Sequence, residues 1–205
     1  MVKQERALRT REALIKSAAT VFDRDGFSVA SLTAISSLAG VSNGALHFHF
    51  ANKAHLADSV EEAAAERLEG IVTAHEGTVG NALQLLVDTS HDLARGLTED
   101  VVLRAGFELS RDQVRERSRD LHHQWHQWVE GALKRADGAG VLSEVTPEEV
   151  ASSVVAATTG FEVLGMQDPK WLSHRTITRF WQLLLPRLAA ASVLGDLVAA
   201  GSRPQ

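Results

Sequence analysis

The sequence predicts an all-α fold, and three observations carry that reading. The 205 residues include only four prolines. Apolar residues recur three and four apart through most of the chain. No stretch sustains the period-two alternation of a half-buried strand. With 44% apolar and 23% charged residues, the chain has the composition of a folded globular protein.

The first helix is expected from about Arg6 to Arg24. Ile15, Ala18, Ala19 and Phe22 fall on one face at i, i+3, i+4 and i+7. Gly26 follows it, as a glycine just beyond a helix commonly does. A short second helix begins at Ser31 to Thr33, both able to cap its amides, and is expected to turn Leu32, Ile35, Leu38 and Ala39 inward. Gly40 closes it. A third short helix runs from Ser42 to about Phe50. A fourth opens near Asn52 and continues through "KAHLADSVEEAAAERLEGIV". Residues 1–52 thus read as an N-terminal three-helix unit and 53–205 as a helical body. After Gly77 and Gly80, the body is expected to hold helices at Asn81–Arg95, Glu99–Leu109, Asp112–Ala136, Pro147–Gly165 and Ser173–Ala191. Thr146, Pro147 and Glu149 have the spacing of a capping box with proline at the first helical position. Pro186 is expected to kink or end the last helix.

Composition excludes several classes. There is no cysteine, hence no disulfide framework and no thiolate metal site. No apolar run approaches the roughly 20 residues needed to span a bilayer. The longest, Leu183 to Ala191, is interrupted by Pro186 and Arg187. The opening "MVKQERALRTREALIK" is charged and holds no apolar signal region, so a cytoplasmic protein without membrane association is expected. The net charge of −5 is unevenly spread: residues 1–60 carry +2, which leaves −7 for the rest. A mildly basic end on an acidic body suits local contact with nucleic acid, although a chance asymmetry would look the same.

"LAGVSNGALHFHFANK", residues 38–53, joins the second and third helices. A helix, a tight turn and a short second helix form the arrangement in which the second helix enters the DNA major groove. Ala39 is small where the helices cross. Gly40 can adopt the positive φ of the turn. Val41 seals it, and Ser42 caps the reading helix near a phosphate. Leu46 and Phe50, four apart, hold that helix down. Asn43, Gly44, Ala45, His47 and Phe48 are left facing outward or forward. Glycine and alanine permit close approach to base edges, and asparagine pairs with adenine. A plain helical hairpin would share the generic pattern.

More specific are "TREALIKSAATVFDRDGF" and "SLTAISSLAGVSNGALHFHFANKAHL". Together they resemble the TetR family of dimeric transcriptional regulators over residues 6–60. The form "KQERALRTR…GALHFHF" is most similar to the γ-butyrolactone autoregulator receptors and pseudo-receptors, repressors of antibiotic-production genes. The resemblance implies an N-terminal helix-turn-helix DNA-binding unit and a body for effector binding and dimerisation. It places Asn43, Gly44 and Ala45 at the base-facing start of the recognition helix. It places Thr33, Ser42, His47 and Lys53 on phosphate, with Phe48 and His49 near the backbone. Many relatives carry Lys or Arg in place of Asn43 and Tyr in place of His47, so operator preference is expected to differ.

In the body, "LHHQWHQWVEGAL" sets Trp125, Trp128 and Val129 on a broad face with Leu121 and Ala132. Trp suits an apolar pocket with one polar tip. The resemblance implies a functional Trp on this helix, which Trp125 fits best. Trp128 reads as core or wall, and Phe107, Phe161, Val163 and Met166 are candidate walls. The last two long helices read as the dimer seam, through Val154, Ala157, Phe161, Phe180, Trp181 and Leu184. His122 and His126, four apart, could share a metal in an all-helical enzyme or mark a helical scaffold. Yet no third ligand, catalytic triad order or phosphate loop accompanies them. The expected partners are therefore a double-stranded DNA operator, a small-molecule effector and a second copy of the chain, with no cofactor, metal or catalytic residue. Where His47 meets phosphate, a proton adds to the attraction, so DNA affinity should rise from neutral to mildly acidic pH. His47→Gln should flatten that profile in a binding titration; identical profiles would remove the contact.

Overall fold

A computed structural model describes residues 2–75, 80–111 and 118–202, with the side chains of Val2 and Lys3 left aside. Among the described residues there are ten α-helices, one 3-10 turn and no strand. They are α1 (Val2–Val29), α2 (Leu32–Leu38), α3 (Asn43–His49), α4 (Lys53–Thr73) and α5 (Ala82–Glu99). They continue with α6 (Val101–Arg111), α7 (Leu121–Gly138), α8 (Pro147–Gly165), α9 (His174–Leu188) and α10 (Ala191–Leu194). The 3-10 turn is Pro169–Leu172, capped by the Asp168 carboxylate on Lys170 N. The chain divides into two compact units. One comprises 1–67 and 100–121, the other 68–99 and 122–205.

In the first unit, α1 starts earlier than its apolar pattern and carries helical bonding past Gly26, which takes φ 76° and turns the chain. Its apolar face meets α6: Leu14, Ala18 and Phe22 are fully or almost fully buried, as are Leu103 and Phe107. Arg104 Nε and Nη2 reach the Asp23 carboxylate at 2.8 and 3.1 Å, tying the same two helices on a partly exposed edge. Gly106 of α6 lies so near α4 that a Cβ there would stand 2.2 Å from Ala64 Cβ. Asp100 begins α6 by accepting from Val102 N at 2.8 Å. The break expected between Arg95 and Glu99 therefore falls at Asp100, because a carboxylate at a helix start outweighs the end of the apolar rhythm.

Leu38 corrects the expected inward face of α2. It is 53% exposed, whereas Ile35 and Ser36 are buried. In a seven-residue helix one residue's rotation decides which side is covered, and here the covered side holds a serine.

In the second unit α5, α7, α8 and α9 share a core of Leu83, Leu86, Val129, Leu133, Val154, Ile177, Trp181 and Leu185. The capping box at α8 is present: Thr146 Oγ1 accepts from Glu149 N, and Glu149 closes back on Thr146 N. Pro186 sits in the last turn of α9, which stops two residues later. The described part of α7 starts at Leu121, with Ser118–Asp120 non-helical before it. The expected start at Asp112, like Gly77, lies outside the described residues. Beyond α10, residues 198–202 form a strap across α5 and α9. Gln84 exchanges two hydrogen bonds with Val198, at 2.8 and 3.2 Å. Asp88 accepts from Ser202 N at 2.8 Å and from its hydroxyl at 2.5 Å. His91 and His174, with ring centroids 4.6 Å apart and planes tilted by 33°, donate to the carbonyls of Ala199 and Ala200. Burial pushes the His91 pKa down, against the pull of the Ala199 carbonyl, which suits a neutral ring donating one proton.

Gly165 ends α8 against Leu172: an added Cβ would lie 2.6 Å from Leu172 Cγ. Gly70, exposed on α4, has nothing within 4 Å of such a Cβ. Gly165→Ala should cost about 1–3 kcal/mol through overpacking, and Gly70→Ala should gain about 0.5–1 kcal/mol. Urea denaturation of the two variants checks both signs.

Candidate nucleic-acid interface and effector site

The second and third helices are built as the turn requires. Ser31 Oγ accepts from Ala34 N at 3.1 Å and starts α2. Gly40 takes φ 67°, and the amides of Gly40 and Val41 return to the carbonyls of Ser37 and Ser36 at 3.1 and 3.0 Å. Those bonds satisfy the last carbonyls of α2 through a left-handed residue that only glycine adopts without strain. Ser42 Oγ then accepts from Ala45 N at 3.1 Å and starts α3. Leu46 and Phe50, 0% and 1% exposed, anchor α3 by one side. Arg11 of α1 lies over the Phe50 ring at 5.4 Å and reaches Ser59 Oγ at 3.2 Å.

The opposite side of α3 is open. Asn43, Gly44, His47 and Phe48 are exposed, and Ala45 and His49 are half-buried. Around Gly44 an added Cβ would meet only the Ser42 hydroxyl, at 3.8 Å. Phe48 is 81% exposed with its ring edge-on to His49. A phenylalanine this bare has little reason in an isolated chain and a good one on a surface that a partner covers.

Beside Ser42, which caps α3, the predicted contact residues Asn43, Thr33 and Lys53 are engaged within the protein. Asn43 Oδ1 accepts from the buried Ser36 hydroxyl at 2.6 Å, and Asn43 Nδ2 points to Thr33 Oγ1 at 3.5 Å. The side chain therefore fixes α3 against α2. Reading adenine with both amide atoms requires it to share or release the Ser36 bond. Lys53 Nζ donates to the carbonyls of Phe27, Ser28 and Ala30 at 2.7, 3.1 and 2.9 Å, and lies 4.7 Å from the Phe27 ring centroid. An ammonium has three donors, and here all three meet the carbonyls that end α1. No sequence signal marked the Ser36–Asn43 pair, which is seven residues apart. The carbonyls under Lys53 are backbone groups and invisible in a sequence.

In the second unit Trp125 is 2% exposed and stacks on Trp128, with centroids 5.2 Å apart and 18° between planes. Trp125 Nε1 donates to Thr158 Oγ1 of α8 at 2.9 Å. One turn away, His122 Nε2 lies 2.8 Å from Glu162 Oε2, on a carboxylate side chain 5% exposed. Two polar rungs thus join α7 to α8. The signal for the second was present in the sequence: Val150, Val154, Thr158 and Glu162 are spaced by four, so an acid ends the buried stripe. Trp128 Nε1 is buried without an acceptor among the described residues.

The remaining candidates separate. Phe107 is buried in the first unit. Phe161 is half-buried, while Val163 and Met166 are 36% and 40% exposed on α8. Val154 and Trp181 are wholly buried within the chain and offer no surface to a second copy. Ala157, Phe180 and Leu184 are half-buried. Near them on the surface are apolar Leu164, Trp171 and Leu183, the last 79% exposed. Among the described residues no three His, Asp or Glu side chains are grouped to hold a metal ion. No described helix is long and apolar enough to cross a membrane.

The comparisons with known proteins agree with this geometry. Residues 14–60 match the bacterial regulatory proteins of the tetR family, and residues 80–190 match the tetracyclin repressor-like C-terminal domain. The chain belongs to the TetR family of bacterial regulatory proteins. It is 29% identical to the A-factor receptor protein of Streptomyces griseus over 206 residues, spanning 98% of this chain and 71% of that one. A crystal structure of a gamma-butyrolactone receptor (ArpA-like protein) matches with a TM-score of 0.82 and 27% identity, covering 95% of this chain and 96% of the other. CprB of Streptomyces coelicolor, in complex with its biological operator sequence, matches with a TM-score of 0.81 and 27% identity over 97% of both chains. The relatives are transcriptional regulators, and none of these findings supports the enzyme reading built on His122 and His126.

Lys53→Met should lower the stability of the chain by about 2–3 kcal/mol, the scale of hydrogen bonds to a charged group. Urea denaturation of the DNA-free protein measures it. An unchanged midpoint, with weakened DNA binding, would return Lys53 to phosphate.

Proposed function

We propose that the chain is a cytoplasmic, ligand-responsive repressor that binds a palindromic operator as a homodimer and is released by a small apolar effector. By role, residues 1–52 read DNA and residues 53–205 take the effector and dimerise. Packing groups the chain differently, since α6 and the first part of α4 fold with the reading helices. The observation that carries the reading is the bare leading side of α3: Gly44, His47 and Phe48 stand clear of the protein, with Ala45 half-buried between them, while Leu46 and Phe50 hold the helix from behind. Two such helices in a dimer would enter successive major grooves about 34 Å apart. Ser42, Thr33 and His49 flank them toward the phosphates, and Asn43 reads a base once it shares or releases the Ser36 bond. Lys53 supports the unit from within.

An acyl γ-butyrolactone or a related signal is the effector class that the relatives favour. Trp125 and Trp128 supply an apolar wall, and the buried Trp128 N–H supplies a donor for a ligand carbonyl. The pair is packed ring on ring, so entry of a ligand must part α7 from its neighbours. Phe161 is the nearest further wall by position on α8. The dimer seam runs through Ala157, Phe161, Phe180 and Leu184, extended by Val163, Leu164, Met166 and Leu183. An apolar strip this long on α8 and α9 suits a four-helix contact between two copies. Effector and operator then oppose each other by one coupling free energy.

The test is a binding titration on the duplex upstream of the protein's own gene. Affinity should exceed that for random duplex and fall steeply with salt. Ala45→Glu should abolish the preference while the dimer persists in sedimentation. An acyl γ-butyrolactone should release the DNA, and Trp125→Ala should lose that response. Equal affinity for the upstream and random duplexes would overturn the regulator reading.

A further inference from the structure

The residues that lead into α7 are gripped by α4. Glu61, wholly buried, accepts at Oε2 from Ser118 N at 3.0 Å, Ser118 Oγ at 2.8 Å and Arg119 N at 3.4 Å. Glu62 takes the Arg119 guanidinium on both oxygens, at 2.9 and 2.7 Å. Ser118 Oγ also lies 3.3 Å from the Asp58 carbonyl. One turn of α4 therefore holds Ser118 and Arg119 from three positions. Two residues later Leu121 begins α7: its amide donates to Ser110 Oγ of α6 at 3.2 Å, and its buried side chain packs beside Gly106.

This arrangement makes a stiff linkage. From Arg119 to Leu121 the chain can extend no more than about 7 Å, so it has little slack. From Leu121 to Trp125 the path is one turn of continuous helix, about 6 Å along the axis. A shift of α7 at Trp125 therefore reaches the clasp almost undiminished. Were Ser118 and Arg119 loosely held, α7 would move alone and α4 would stay. A surface Arg–Glu pair by itself contributes little to stability. A bidentate one beside a buried carboxylate fixes direction, since a guanidinium and a carboxylate meet in one plane.

We propose that Glu61 and Glu62 are the joint through which α7 moves α4, and that with Ser118 and Arg119 they act as positioning residues for operator release. The proposal deepens the repressor reading and rests on it for its biological meaning. Its mechanical content needs neither DNA nor effector.

The experiment compares wild type, Glu62→Arg, Arg119→Glu and the charge-swapped double variant. Hydrogen exchange on the DNA-free protein comes first. Amides of α4 should exchange several-fold faster in each single variant and return toward wild type in the double, at unchanged helix content. Exchange in α4 that ignores the single variants overturns the proposal, whatever the protein does with DNA. Titration with the upstream duplex follows. The single variants should bind five- to tenfold more weakly and the swap should restore binding; singles that bind as wild type overturn it. Should wild type prefer no duplex, the repressor reading fails and the exchange data alone decide the joint. Glu61→Gln, which keeps the shape and removes the charge, should resemble the single variants in exchange. If it does not, Glu61 is no part of the joint.

Discussion

A single ammonium group holds the end of α1 and the start of α4 at one point. Lys53 is the first residue of α4, and its three protons end on carbonyls between the Gly26 turn and the cap of α2. Helix ends carry unsatisfied carbonyls, and burying them without donors is costly. Placing a charged donor there solves that problem and also sets the angle at which α4 leaves. Everything in front of it, from Ser31 to Phe50, is a short excursion whose two ends are both fixed by this contact. The seven-residue helices α2 and α3 have too few internal bonds to stand alone. They hold their positions because their boundaries and their anchors, Leu46 and Phe50, are fixed for them.

The second unit uses polar contacts for a different purpose. A hydrophobic α7–α8 seam would slide with little penalty. Trp125–Thr158 and His122–Glu162, one turn apart, give it a register. Buried polar pairs are rarely the most stabilising choice, but a satisfied pair selects one alignment over its neighbours. Any displacement of α7 along α8 must therefore exchange one discrete arrangement for another.

The legible parts of the sequence were those with local causes. Gly40 needs a positive φ, Ser42 and Thr146 need a nearby amide, and Leu46 and Phe50 need only their spacing. Those features were readable because cause and effect lie within a few residues. Leu38 was misplaced because a helix of two turns gives too short a pattern to set its rotation. The extent of α1 was underestimated because its first turns are polar and carry no periodic signal. Lys53, Asn43 and Glu61 acquire their roles from groups brought close by the fold. Lys53 looks like any basic residue near DNA until the carbonyls beneath it are located. The apolar neighbourhood of Trp125 on α7 is visible in the sequence, but its bond to Thr158 depends on how α8 is laid beside it.

The strap of residues 198–202 bears on how the chain is made. Asp88 and Gln84 lie 114 residues before Ser202 and Val198, respectively. At about 5–20 residues per second of translation, those donors emerge on the order of ten seconds later. Until then the carboxylate of Asp88 must stay hydrated, and the face of α5 that it occupies cannot close. The second unit thus closes only after residues 198–202 have emerged, whereas every residue from Ser31 to Lys53 is available early. The helix-turn-helix can therefore be shaped well before the second unit closes over the face of α5 that holds Asp88.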